Sequence, residues 1–183
     1  VVSGTNGVGN KLQKFLEVFV QGIDGAAAAM IGQNLGARQI DRAGKITVYT
    51  WLSATVCAGF SALLCLTIPH QIFRIFTPDE AVIALGATFL QIFCVHFFAS
   101  AFTGSFQSMV TGCGFVELGF AIGIMDGLVC KIGLSWLFMN VFNMGYPGLW
   151  WGVACSRILP GCICLGYFLS GKWKTRKLLT EKK

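Results

Sequence analysis

Residues 81–116, AVIALGATFLQIFCVHFFASAFTGSFQSMVTGCGFV, contain no Asp, Glu, Lys or Arg. A helix needs about 20 predominantly apolar residues to cross a bilayer's hydrocarbon core, and this stretch exceeds that. A second charge-free stretch, residues 46–73, does the same. Across the 183 residues, 55% are hydrophobic and 12% charged, and mean hydropathy is +0.68. Soluble domains carry roughly 25% charged residues, so the chain reads as an all-α integral membrane protein.

Working outward, apolar runs and breakers predict five spans at about 8–35, 46–68, 81–111, 118–139 and 149–170, followed by a basic tail, 171–183. Gly36 is suited to end the first helix. Pro69 stops the second. In Thr77-Pro78-Asp79-Glu80, Thr77 suits an N-cap, Pro78 the first helical position and Glu80 a capping box. Gly112-Cys113-Gly114 breaks the third span, and Asn143, Gly145 and Pro147 mark the last loop.

The net charge of +6 is concentrated at the end: Lys172, Lys174, Arg176, Lys177, Lys182 and Lys183 lie in the last dozen positions. No nucleic-acid-binding module accompanies them, so the tail reads as a flank facing anionic lipid. Arg38, Arg42 and Lys45 follow the first span, four spans before the tail. The positive-inside rule then places both segments in the cytoplasm. Tyr146, Trp150 and Trp151 are expected as outer interfacial anchors, with Tyr167 and Trp173 as inner ones. Eight cysteines scattered through apolar stretches lack metal-ligand spacing and read as small packing residues. No metal site, cofactor motif or signal peptide is apparent, and a start on Val1 suggests a fragment. The motifs of an enzyme are missing too: no phosphate-binding loop, HExxH or nucleophile–base pair.

Ionisable residues within spans are costly and default to functional candidates. Asn10, Lys14, Glu17, Gln21 and Asp24 recur at steps of four, three, four and three, forming a polar stripe on one helix face. The stripe either lines a water-filled cavity or glues helices together, with Lys14 pairing Glu17 across a turn and able to snorkel outward. In the third span His96, Ser100, Thr103 and Gln107 form a second stripe, suited to cavity lining or to packing. In the fourth, Gly119, Gly123, Asp126, Cys130 and Gly133 share a face that would let a neighbouring helix approach closely. Lys131 points about 140° away from Asp126 on a regular helix at 3.6 residues per turn, leaving Arg157 as the alternative partner.

Three segments carry a family resemblance. Ile31-Gly32-Gln33-Asn34-Leu35-Gly36-Ala37, followed by residues 38–43, resembles the GQN-x-GA turn and cytosolic helix of the multidrug and toxic compound extrusion (MATE) family. Phe76-Thr77-Pro78-Asp79-Glu80-Ala81-Val82-Ile83-Ala84-Leu85-Gly86 is similar to its F-T-x-D-x-x-V-I-x-L-G segment. Gly166-Tyr167-Phe168-Leu169-Ser170-Gly171-Lys172-Trp173-Lys174 resembles its last helix and basic tail. Together they cover nearly the whole chain in the family's order.

The resemblance implies a transporter of two six-helix lobes around a central cavity, exporting organic cations or drugs in exchange for H+ or Na+ across the plasma membrane. These five spans would be the last five of the second lobe, and the partner lobe would come from sequence outside this chain. The sequence departs from the pattern where Phe115-Val116-Glu117 follow Gly114 in place of an Arg-Gly and acidic-Thr pattern. It departs again where Phe102 and Thr103 stand near the position of a cation-binding Asp in some relatives, so no cation site carries over there. A lipid-linked oligosaccharide flippase of the same superfamily is the alternative, resting on Lys14 and Lys131. A non-transporting scaffold is a third, and it would have no need of the polar stripe.

Overall fold

The computed structural model describes residues 2–175. Its helices are α1 (Val2–Gly36), α2 (Ile40–Thr67), α3 (Pro69–Arg74), α4 (Glu80–Gly112), α5 (Val116–Ile124), α6 (Lys131–Trp136), α7 (Tyr146–Cys155) and α8 (Ile158–Leu169). A π-helical turn, Met125–Cys130, joins α5 to α6, and a second, Leu137–Val141, follows α6 to complete a single span. A 3-10 turn, Lys172–Lys174, closes the described chain. Five segments are long and apolar enough to cross a membrane: Val2–Gly36, Ile40–Thr67, Glu80–Gly112, Val116–Val141 and Tyr146–Leu169.

The charge-free stretch of residues 81–116 lies largely in α4, at the centre of the molecule. α4 packs against α1, α2, α7 and α8, and a helix covered on several sides can be apolar nearly all round. Phe89, Leu90 and Phe93 sit in its main core with Ala54 and Ala58 of α2 and Val20 of α1. Phe89 stacks on Phe93 at 4.1 Å and meets Trp150 edge-on at 5.3 Å.

Helix ends depart from expectation in ways local chemistry explains. α1 begins at Val2 and α2 at Ile40, both about six residues earlier than apolar periodicity suggested, because polar first turns extend beyond the apolar run. Lys14 therefore lies twelve residues beyond Val2 along α1, about 18 Å at 1.5 Å per residue. Gly36 is the last helical residue, and the left-handed position falls on Arg38, at φ 60°. Gln39 N–H donates to the Asn34 carbonyl at 2.8 Å and Arg38 N–H to Leu35 at 3.0 Å, the two bonds of a Schellman cap. The same pair recurs after α4, from Phe115 to Val110 and from Gly114 to Thr111, with Gly114 at φ 65°. The N-cap of α4 is Asp79, whose carboxylate accepts from Ala81 and Val82 N–H. Thr77 instead accepts from Asp79 N–H, and Glu80 pairs with Arg74 at 2.9 Å rather than completing a capping box. Pro69 opens α3 as well as ending α2.

The α1–α2 turn and the C-terminal turn meet at one end of the bundle. Trp173 lies 3.3 Å from the position a Cβ on Gly44 would occupy, stacks on Phe168, and shares a core with Ile31, Ala43 and Met109. Both basic segments thus share an end as expected, although residues 176–183 of the tail lie outside the described chain. Two expected anchors are corrected. Trp173 is buried, donating to the Phe168 carbonyl at 2.9 Å, and Trp150 is buried, donating to Asn6 at 2.7 Å. Each indole found a partner inside the bundle, which removes its reason to sit at the interface.

The glycine face of the fourth span is also corrected. A Cβ on Gly119, Gly123 or Gly133 would meet nothing within 4 Å. Close approach is made instead by Gly148 and Gly152 of α7, where a Cβ would collide with the backbone of Phe138 and Ser135. The small residues that matter lie on the partner helix, which the fourth span's own periodicity cannot reveal.

Candidate substrate and ion pathway

α1 and α4 carry their polar stripes toward each other, and the described residues line two open cavities along that seam. The first, about 340 Å³, is lined by Asn10, Gln13, Lys14, Glu17, Gln21, His96, Lys131 and Arg157. The second, about 270 Å³, is lined by Gln21, Asp24, Gly25, Ala28, Gly104, Gln107, Ser108, Thr111 and Arg157. Gln21 and Arg157 border both, so the two spaces adjoin end to end along α1.

At the first cavity, Glu17 Oε1 lies 2.7 Å from His96 Nε2. The two groups are 6% and 2% exposed, respectively. Gln13 Nε2 reaches both, at 3.4 Å from Glu17 Oε1 and 3.0 Å from His96 Nε2. The partner of Glu17 is therefore His96 on α4, and the expected Lys14–Glu17 pair is replaced by one between helices. Lys14 stays exposed on the cavity wall and makes no ion pair among the described residues.

Asp24 borders the second cavity. Ser105 donates to its Oδ1 at 3.4 Å, and Ser108 donates to its backbone carbonyl at 2.9 Å. Gly104 makes this placement possible, because a Cβ there would overlap the Asp24 carboxylate. Gln107 lines the same space. Thr103 lines neither cavity: it is buried and donates to the Arg157 carbonyl at 2.6 Å.

That bond belongs to a break in the fifth span. α7 ends at Cys155 and α8 starts at Ile158, and Pro160 has no N–H with which to continue the ladder across the gap. The Arg157 carbonyl also accepts from Gly161 N–H at 3.0 Å, so Thr103 adds a second bond that ties α4 to this turn. The break presents Ser156 and Arg157 inward. Ser156 donates to Asp126 Oδ1 at 3.1 Å, Arg157 Nε lies 3.5 Å from Asp126 Oδ2, and Arg157 Nη1 donates to Ser100 at 2.6 Å. Lys131 Nζ also approaches Asp126 Oδ2, at 3.9 Å. On a regular helix Lys131 would face elsewhere, but Lys131 N–H bonds the Asp126 carbonyl five residues back. That π-turn geometry brings i and i+5 onto one side, and such turns are frequent at functional sites.

The structure thus places Asn10, Lys14, Glu17, Gln21 and His96 on one cavity, Asp24 and Gln107 on the next, and Asp126 behind Arg157. Sequence reasoning missed Gln13, Gly104, Ser105 and Ser108, and it named Arg157 only as a partner for Asp126. Gln13 was accessible, since it stands one turn before Glu17 at the i, i+4 spacing that lets side chains meet.

The MatE family model matches residues 3–137. Over 97% of its length the chain is 22% identical to the probable multidrug resistance protein NorM of Thermotoga maritima, covering 38% of that protein. Over 84% it is 24% identical to the human multidrug and toxin extrusion protein 1, covering 27% of it. Its fold is similar to the outward-facing conformation of a multidrug resistance MATE family transporter of the MOP superfamily. There the TM-score is 0.85, the identity 17%, and the match covers 94% of this chain and 39% of that one. The chain spans about two fifths or less of the length of these proteins.

Proposed function

The chain belongs to the MatE family, a family of multi-pass membrane transporters and not of enzymes, and on that premise we propose that it forms most of the second lobe of a secondary-active exporter of drugs and organic cations. The observation that carries this reading is the pair of adjoining cavities along the α1–α4 seam, each lined by a carboxylate from a helix long and apolar enough to cross a membrane. A transporter needs polar groups facing a water-filled route inside an apolar shell, and Glu17 and Asp24 supply them. Substrate reaches both, while H+ or Na+ exchanges at the carboxylates. The missing lobe would close the open side of the seam, and the exporter would reside in the plasma membrane with the α1–α2 turn and the tail in the cytoplasm.

A second reading, a flippase for lipid-linked oligosaccharide, is favoured by one specific feature: Lys14, Lys131 and Arg157 around the first cavity. Efflux of a cationic dye from vesicles holding the full-length protein separates the two. An imposed H+ or Na+ gradient should drive dye movement under the exporter reading. No gradient-dependent movement, together with translocation of a lipid-linked sugar, would replace it with the flippase. For orientation, thiol labelling of a cysteine introduced at Lys172 should succeed only from the cytoplasmic side.

A further inference from the structure

A groove of about 620 Å³ runs between α2 and the end of α8, apart from both cavities of the α1–α4 seam. It is lined by Asp41, Lys45 and Tyr49 of α2 and, across from them, by Leu169, Trp173 and Lys174. The segments Ile40–Thr67 and Tyr146–Leu169 are both long and apolar enough to cross a membrane. The groove lies at the start of one and the end of the other, which puts it at a bilayer surface.

Its rim is basic. Lys45 and Lys174 are exposed and make no ion pair among the described residues, and Asp41 is the acid on the groove wall. Lys174 is held in place by the turn that carries it. The chain doubles back at Gly171, φ 67°, and Lys174 N–H donates to the Gly171 carbonyl at 2.9 Å. Its Nζ stands 5.6 Å from the centre of the Trp173 ring, which is itself fixed by its stack on Phe168 and its bond to the Phe168 carbonyl. Below the rim the wall turns apolar. From Tyr49, which is 65% exposed, the same side of α2 continues through Leu52, Val56, Phe60 and Leu63, each more than half exposed. Steps of three and four residues keep them on one face. Two lysines opening onto an exposed apolar strip match a phospholipid, with its anionic head and apolar chains. A soluble phosphate would use the rim and leave the strip bare.

We propose that this groove is a site for one anionic phospholipid, its phosphate held by Lys45 and Lys174 and its acyl chains laid along the Tyr49–Leu63 face of α2. The site is independent of what is transported, so it stands or falls apart from the exporter reading.

Native mass spectrometry of the full-length protein, titrated in detergent with phosphatidylglycerol or with phosphatidylcholine of the same acyl chains, counts bound lipids and gives the affinity for each. The first phosphatidylglycerol should bind about twentyfold tighter than phosphatidylcholine, at about fivefold per lysine. Combining Lys45→Gln with Lys174→Gln should abolish the preference, and changing both to Arg should keep it, which guards against misfolding. Arg38→Gln with Arg42→Gln removes the same charge from the same end outside the groove and should leave the preference in place. Glycerol phosphate, the head chemistry without chains, should not compete at concentrations where phosphatidylglycerol saturates. Equal affinity for the two lipids, or equal losses from the lysine and arginine pairs, overturns the proposal in favour of diffuse surface charge. Competition by glycerol phosphate as strong as by the lipid overturns it in favour of a soluble phosphate site.

Discussion

Asp126→Asn removes one charge from the joint where the fourth and fifth spans meet. In the native arrangement this carboxylate takes Arg157 at 3.5 Å, Lys131 at 3.9 Å and the Ser156 hydroxyl at 3.1 Å. The Asp126 and Arg157 side chains are 16% and 26% exposed, so the pair is largely but not wholly desolvated. Breaking a fully buried pair by removing one partner costs about 3–5 kcal/mol; partial solvation brings this joint to about 2–3 kcal/mol. At roughly 2–4 °C per kcal/mol for chains of this length, that is a fall of about 4–12 °C in melting temperature. Replacing Arg157 with Met alone should cost a similar amount. The two changes together should cost less than their sum, by at least about 1 kcal/mol, since neither charge is then left alone. Melting curves of the four proteins in detergent, followed by tryptophan fluorescence, supply the cycle. Additive losses, or a wild-type melting point in Asp126→Asn, would refute the view that this pair holds the broken span in place.

Gly104→Ala places a methyl group where the Asp24 carboxylate lies; the side chain rotates away, so efflux in vesicles should fall severalfold while yield stays near normal. Gly152→Ala drives a Cβ into the Ser135 backbone, which cannot step aside, so detergent-extracted yield and melting temperature should both drop, consistent with an overpacking cost of about 1–3 kcal/mol. Arg38→Gly relieves the left-handed strain at φ 60° and should raise thermal stability by about 1 kcal/mol, read as a higher melting temperature in detergent.

The number of spans was legible because long charge-free runs report insertion into the bilayer; the centrality of α4 was not, because a lipid-facing helix is apolar too, as the little-buried span Val116–Val141 shows. The α1 stripe was legible through its 3.6-residue period. The partners of its residues were not. Glu17 meets His96 from 79 positions away, a pairing fixed by how α1 packs on α4, and within α1 itself Lys14 looked the nearer cation. Lys131 was misread because the π turn adds a residue between it and Asp126, and no local sequence rule announces that. The α7–α8 break had a visible cause in Pro160, yet only the tertiary bond from Thr103 shows how α4 is tied to it. Gly104 was silent, because its importance lies wholly in the carboxylate opposite.

Whether the α1 stripe forms the transport route can be read from dye efflux by cells expressing the full-length protein with Glu17→Gln or Asp24→Asn, normalised to the amount of protein at the membrane. Each change should lower efflux per protein severalfold, with near-normal membrane abundance for Asp24→Asn and reduced abundance for Glu17→Gln, whose carboxylate is buried against His96. Wild-type efflux in both variants at normal abundance would contradict that route.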